Sequence, residues 1–175
     1  MNRHVISILV SNHAGVLSRI TGLFSRRCFN IDSLSVGVTA DPDFSRITVV
    51  AFGDDAIIDQ IRKQLEKLID VQEVIELHQE DSVYRELALV KIGADAKVRP
   101  EIVSIAEIFR ASVIDVSTST ITVEMTGDQS KIDACIQLLS PYGVKEIVRT
   151  GLAGIQRGCS VMEAKNGGYY DDLAY

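Results

Sequence analysis

The sequence has few cysteines, no long apolar run and no surplus of positive charge, and each shortage removes a class of protein. Its 175 residues hold three cysteines, Cys28, Cys135 and Cys159, odd in number and widely spaced. No CxxC occurs, so neither a zinc site nor a disulfide framework is indicated, and buried thiols in a reducing compartment are expected. The apolar run at 5–10 follows Met1-Asn2-Arg3-His4 directly and is too short to span a bilayer. With no signal peptide before it, a cytoplasmic chain without a membrane anchor is expected. A net charge of −6 argues against a nucleic-acid partner, which calls for a basic face.

Catalytic signatures are also missing. There is no GxxxxGK[ST], GxGxxG, HExxH or GxSxG. His4, His13 and His78 fall in separate elements and suggest no metal cluster. Asp and Glu sit mostly on polar helix faces, where a solvated surface explains them. No catalytic residue, no metal and no cofactor is therefore expected in this chain.

What is present is an ordered alternation. Residues 5–10 are apolar and β-branched, as in a strand. A turn follows, then Val16, Leu17, Ile20, Leu23 and Phe24 recur at helical spacing. Strands are expected around 34–38 and 45–52, with a turn at Asp41-Pro42-Asp43. Gly53-Asp54-Asp55 breaks the strand and offers a carboxylate cap to a second helix carrying Ile57, Ile58, Ile61, Leu65 and Leu68, and residues 71–77 close the unit as a strand. The order is βαββαβ.

The second half repeats it. Ile47-Thr48-Val49 matches Ile121-Thr122-Val123, Gly53-Asp54 matches Gly127-Asp128, and Ile58-Asp59 matches Ile132-Asp133, all at an offset of 74 (121−47, 127−53, 132−58). Ile31-Asp32 matches Ile114-Asp115 at 83 (114−31), so the middle hairpin is nine residues shorter in the second half (83−74). The expected fold is α+β, two ferredoxin-like βαββαβ domains in tandem, over residues 1–79 and 80–150. A glycine-rich tail, 151–175, is expected to be loosely ordered.

One segment invites a functional reading. Asn12-His13-Ala14-Gly15-Val16-Leu17 joins the first strand to the first helix. A helix N-terminus offers unpaired N–H groups and partial positive charge to a carboxylate. Gly15 permits close approach to the backbone, and Asn12 can donate and accept. An ordinary strand-to-helix turn would look the same. The second half, with Gly93-Ala94-Asp95-Ala96-Lys97, lacks the Asn-x-x-Gly spacing. Asn30 also has two readings: a helix-ending residue in the left-handed conformation, or a ligand contact.

Asn12-His13-Ala14-Gly15-Val16-Leu17-Ser18-Arg19 resembles the opening of an ACT domain, a βαββαβ module that binds amino acids. Gly22-Leu23-Phe24-Ser25-Arg26-Arg27 with Asn30-Ile31-Asp32-Ser33-Leu34 resembles the regulatory small subunits of acetolactate synthase, or acetohydroxyacid synthase. The similarity runs through Ser45-Arg46, Arg85-Glu86-Leu87, Glu107-Ile108-Phe109-Arg110 and Arg149-Thr150-Gly151, nearly the whole chain.

The resemblance implies a non-catalytic regulatory subunit. Such subunits bind a catalytic large subunit carrying thiamine diphosphate, magnesium and FAD, which serves valine, leucine and isoleucine biosynthesis. They raise its activity and confer allosteric feedback inhibition, commonly by valine. It further implies a homodimer through the ACT domains, with effector sites at the interface. Asn12, His13, Ala14, Gly15, Val16 and Leu17 would come from one protomer, Asn30 and Ile31 from the other. Two departures stand out: Cys28 replaces a usual Gly, and Gly167-Gly168-Tyr169-Tyr170 extends beyond the usual end. The competing reading is a free-standing amino-acid sensor acting on another partner. An RNA-binding module of the same element order is disfavoured, because residues 5–10 and 47–51 offer no aromatics for base stacking.

Overall fold

The computed structural model describes residues 2–165, which divide into two compact units. One holds the residues up to Val83 together with those from Leu152 on, and the other runs from Tyr84 to Gly151.

In the first unit, β1 (Asn2–Ser11), β2 (Ile31–Val38), β3 (Phe44–Gly53) and β4 (Val71–Leu77) form an antiparallel sheet in the order β2-β3-β1-β4. Helices α1 (Val16–Arg26) and α2 (Asp55–Leu65) supply the crossovers. Ile6, Ile8 and Val10 of β1 point to the helix side and meet Ile20, Leu23 and Phe24 of α1 and Ile58, Ile61 and Leu65 of α2 in one core. A carboxylate caps α2 as expected, and it is that of Asp54: its Oδ1 accepts the Ile57 N–H at 2.9 Å.

In the second unit, β5 (Ser82–Gly93), α3 (Arg99–Ile108), β6 (Ser112–Val116), β7 (Thr120–Gly127), α4 (Gln129–Leu139) and β8 (Val144–Arg149) repeat that order. The sheet order β6-β7-β5-β8 is the same in kind. The repeat extends to register: Ile8 faces Ile47 across β1 and β3, and Ile92 faces Ile121 across β5 and β7. Asp128 caps α4 through the Lys131 N–H at 2.9 Å, matching Asp54. The shorter hairpin is visible too, since β2 has 8 residues and β6 has 5. These features bear out the reading of two ferredoxin-like domains.

Two expectations fail. The tail is not loose where it is described: it forms a strand, β9 (Ala153–Gln156), and Met162 is buried. The cause lies in the first sheet. Val5, Ser7 and Leu9 point away from the helices yet are almost fully buried. Leu9 packs on Met162 beside Phe44 and Ile75, and the Ser7 hydroxyl donates to the Met162 thioether at 3.3 Å. The Gly-Gly-Tyr-Tyr extension lies outside the described residues. The cysteines also differ from expectation. Burial pushes the Cys135 thiol up, but Cys28 and Cys159 are exposed, one on a helix exit and the other just beyond β9. Among the described residues no helix is long and apolar enough to cross a membrane.

Arg149 ties the second unit together. Its Nε and Nη2 donate to the two oxygens of the buried Glu86 at 2.9 and 2.7 Å, and its Nη1 reaches Asp133 of α4 at 2.8 Å. These carboxylates hold its guanidinium protonated well above the ordinary range. A bidentate pair of this kind is strong, and breaking it strands a buried charge. Arg149→Met is expected to destabilise this unit by about 3–5 kcal/mol. Asp133→Asn, at a half-exposed rim, is expected to have an effect of about 1 kcal/mol or less. Urea denaturation followed on the methyl signal of buried Met125 measures both, and equal effects would refute the assignment.

Candidate functional site

β1 ends at Ser11, whose N–H donates to the Asp70 carbonyl at 2.9 Å, and the chain turns into α1 over four residues. Asn12 is tied on both its main chain and its side chain. Its backbone N–H donates to Asp43 O at 2.7 Å and its Nδ2 donates to Pro42 O at 2.8 Å. Gly15 occupies the N-cap position of α1 with φ 89°, a left-handed conformation that favours glycine. A Cβ built there would meet nothing within 4 Å, so the space over the turn is open.

The N-terminus of α1 is left unfinished. No side chain caps it, and its first turn holds no acidic residue. The N–H groups of Leu17 and Ser18 find no acceptor among the described residues, while Val16 N–H makes only a long 3.4 Å bond to His13 O. Val16 is buried in the core, whereas Leu17 is 41% exposed beside the open N–H groups. An anion accepting those N–H groups would thus lie next to an apolar side chain.

Two residues outside positions 12–17, Asp70 and Arg19, hold this loop. The Asp70 carboxylate, buried after α2, pairs with the Arg19 guanidinium and lies 3.0 Å from His13 Nε2. It fastens the loop and the first turn of α1 to the start of β4. Asp70 was not legible as part of the site, because 58 residues of sequence separate it from Asn12 (70−12). The position of Arg19, one turn into the helix from Gly15, was the available signal.

The second unit closes the equivalent place. Asp95 Oδ1 accepts the N–H groups of Lys97 at 2.7 Å and Val98 at 3.1 Å, and Pro100 in the first turn of α3 has no N–H to offer. A ligand carboxylate there would face a carboxylate already bonded to the backbone.

Asn30 and Ile31 stand at the other end of α1. With 11 residues rising about 1.5 Å each, that helix separates them from Gly15 by about 16 Å along its axis. Within one chain the two halves of the expected site are therefore not brought together. Asn30 is exposed, and Ile31 opens β2, partly buried against the core. The left-handed residue at the helix exit is not Asn30 but Cys28, at φ 56°. The exit is a Schellman turn: Cys28 N–H bonds Ser25 O at 3.1 Å and Phe29 N–H bonds Phe24 O at 3.0 Å. The rings of Phe24 and Phe29 meet edge to face with centroids 6.4 Å apart. This packing sets the direction in which Asn30 leaves the helix. Among the described residues no group of three or more His, Cys, Asp or Glu side chains could hold a metal ion.

Comparison with known proteins agrees with this architecture. Residues 6–73 match a family described as the AHAS small subunit-like ACT domain, and residues 85–158 match one described as the small subunit of acetolactate synthase. The chain is 47% identical over 155 residues to the acetolactate synthase small subunit of Mycolicibacterium smegmatis, covering 89% of this chain and 91% of the relative. It is 44% identical to the acetolactate synthase small subunit of Aquifex aeolicus, covering 95% and 87%. Among solved structures, the acetolactate synthase small subunit of Thermotoga maritima superposes with a TM-score of 0.85 at 41% identity, covering 90% of this chain and 99% of that one.

Cys28 gives a test of the helix exit. A non-glycine residue in the left-handed region costs about 1–2 kcal/mol, partly offset by the greater freedom of glycine in the unfolded chain. Cys28→Gly is expected to stabilise the protein by about 0.5–1 kcal/mol. Cys28→Ala, which keeps the Cβ, should not. Thermal unfolding of the two variants compares them, and equal midpoints would show that the backbone at Cys28 carries no strain.

Proposed function

The chain belongs to the acetolactate synthase small-subunit family, and we propose that it activates a catalytic large subunit and makes that subunit sensitive to valine. Partnership with a large subunit follows from the family. In the proposed reading, thiamine diphosphate, magnesium and FAD reside in that partner, and this chain contributes regulation only. The pathway served is branched-chain amino-acid biosynthesis in the cytoplasm.

The effector site we propose has Asn12, His13, Ala14, Gly15, Val16 and Leu17 on one protomer and Asn30 and Ile31 on a second. The observation that carries it is the open N-terminus of α1. Gly15 leaves room above the turn, and the Leu17 and Ser18 N–H groups are unpartnered among the described residues. Together they fit the carboxylate of an amino acid. The exposed face of Leu17 suits an aliphatic side chain. The separation of Asn30 from this loop along α1 favours a site completed by a second copy. β2 is an edge strand with Val36 and Val38 exposed, a surface suited to pairing with its counterpart. The second unit, with Asp95 filling the equivalent turn, is assigned no effector.

Gly15→Asp tests the site. The new carboxylate would stand within roughly 4 Å of the ligand's own, a repulsion of about 4 kcal/mol at an effective dielectric near 20. Burying a valine side chain contributes only about 1.5–3 kcal/mol. Feedback inhibition is expected to disappear while activation of the large subunit remains. Asn30→Ala should weaken inhibition more mildly, by about 1–3 kcal/mol. The measurement is a valine titration of acetolactate formation by the reconstituted enzyme. Wild-type inhibition of a folded Gly15→Asp protein would place the effector elsewhere.

A further inference from the structure

The face of the first sheet turned away from the helices contains a groove of about 150 Å³. Ile75 of β4, Ile155 of β9, Val161 and Met162 give it an apolar lining. Arg46 of β3 enters the same groove. Arg46 faces the fully buried Leu9 across β3 and β1 and is itself half-buried. It makes no ion pair or hydrogen bond among the described residues, whereas Arg62, Arg99 and Arg149 are each engaged. The Arg46 guanidinium nitrogens are not among the buried unpartnered atoms, so they reach solvent and are open to an anion arriving from outside. Among the described residues no acidic side chain lines the groove.

We propose that this groove is a second ligand site, separate from the loop at Gly15, and that it takes a small aliphatic monocarboxylate. Arg46 binds the carboxylate as a bidentate partner. Ile75, Ile155, Val161 and Met162 receive a short branched chain. Ser160 and Gln156, also lining the groove, can donate to a keto oxygen beside the carboxylate. Drug-sized ligands fill about 300–1,000 Å³, so this volume suits a molecule of a few carbons. With no acid among the described lining residues, an α-ammonium group would meet only the arginine there. The site therefore selects 2-oxo acids and simple carboxylates over amino acids, the reverse of what the loop at Gly15 is proposed to bind.

The test uses the full 175-residue chain with labelled Ile and Met methyl groups. Isobutyrate, 2-oxoisovalerate, isobutyramide and L-valine are titrated separately while the Met162, Ile75 and Ile155 signals are followed. The two acids are expected to shift these signals saturably, and isobutyramide and L-valine to bind about tenfold or more weakly. Tighter binding of 2-oxoisovalerate than of isobutyrate would assign the keto contact to Ser160 and Gln156. The reverse order would leave Arg46 and the apolar walls as the whole site. Arg46→Gln should weaken both acids about tenfold or more, and Arg46→Lys, which keeps the charge but loses the bidentate fork, should weaken them less than Arg46→Gln does. The same shifts should persist in Gly15→Asp, which separates this site from the proposed effector loop. The proposal is overturned by the absence of saturable shifts with either acid, by equal binding of L-valine, by undiminished binding to a folded Arg46→Gln chain, or by loss of the shifts in Gly15→Asp.

Discussion

Burial of β1 on both faces is the constraint on which the first unit depends. With apolar residues on both of its faces it must be covered twice, and the helices cover it only once. Ile6, Ile8 and Val10 face α1 and α2, while Val5, Ser7 and Leu9 face the other way and need a different cover. Residues after Leu152 supply it, with Met162 seated on Leu9 and Ser7. The chain thus returns to its first domain after completing its second. A piece ending near residue 79 would lack that cover and expose Leu9, so the first domain is not self-contained in sequence. The groove at Arg46 follows from the same cover, because β9 and the residues behind it stand over β3 and β4 without an acidic partner for the guanidinium.

The two halves share a skeleton and differ where chemistry is expected. Both cap the second helix of the unit with an aspartate, Asp54 and Asp128. Both end the first helix in a Schellman turn with a non-glycine residue in the left-handed region, Cys28 and Arg110. They part at the start of that first helix. In the second unit Asp95 takes up backbone N–H groups and Pro100 removes another, so the helix is finished from within. In the first unit Gly15 leaves the N–H groups open, and the Asp70 carboxylate that holds the loop is occupied by Arg19 and His13. Among the described residues one helix terminus is thus satisfied and the other available.

The fold was legible because its signals are local. Helical stripes, Asp caps and the fixed offset between the halves each need only a short window of sequence. The loop at residues 12–17 was legible for the same reason. Three features were not. Asp70 reaches the loop only through the fold, Cys28 rather than Asn30 takes the left-handed conformation, and the tail docks on a sheet face far back in the chain. The last did leave a trace. The run Val5-Ile6-Ser7-Ile8-Leu9-Val10 is nearly continuous in apolar residues, where a strand wet on one face would alternate. That run already implied a second cover, and only its source was hidden.

Magnitudes explain why the proposed effector site should need two chains. An open helix terminus contributes about 0.3–1 kcal/mol through its dipole, rising to about 2 in favourable partly buried geometry. Two N–H bonds to a carboxylate add about 1.5–3 kcal/mol each, and partial burial of an aliphatic side chain adds less than the 1.5–3 of full burial. Against these stands a loss of translational and rotational freedom of about 4 kcal/mol at the least. The balance for one loop alone is near that of a millimolar ligand, about −4 kcal/mol. A second set of contacts has no comparable entropy loss to offset, because the ligand is already held. Asn30 and Ile31 cannot supply that set from the same chain, being at the far end of α1. Supplied by a second copy, they would make effector binding and dimer formation mutually reinforcing, since each would complete the other's contacts.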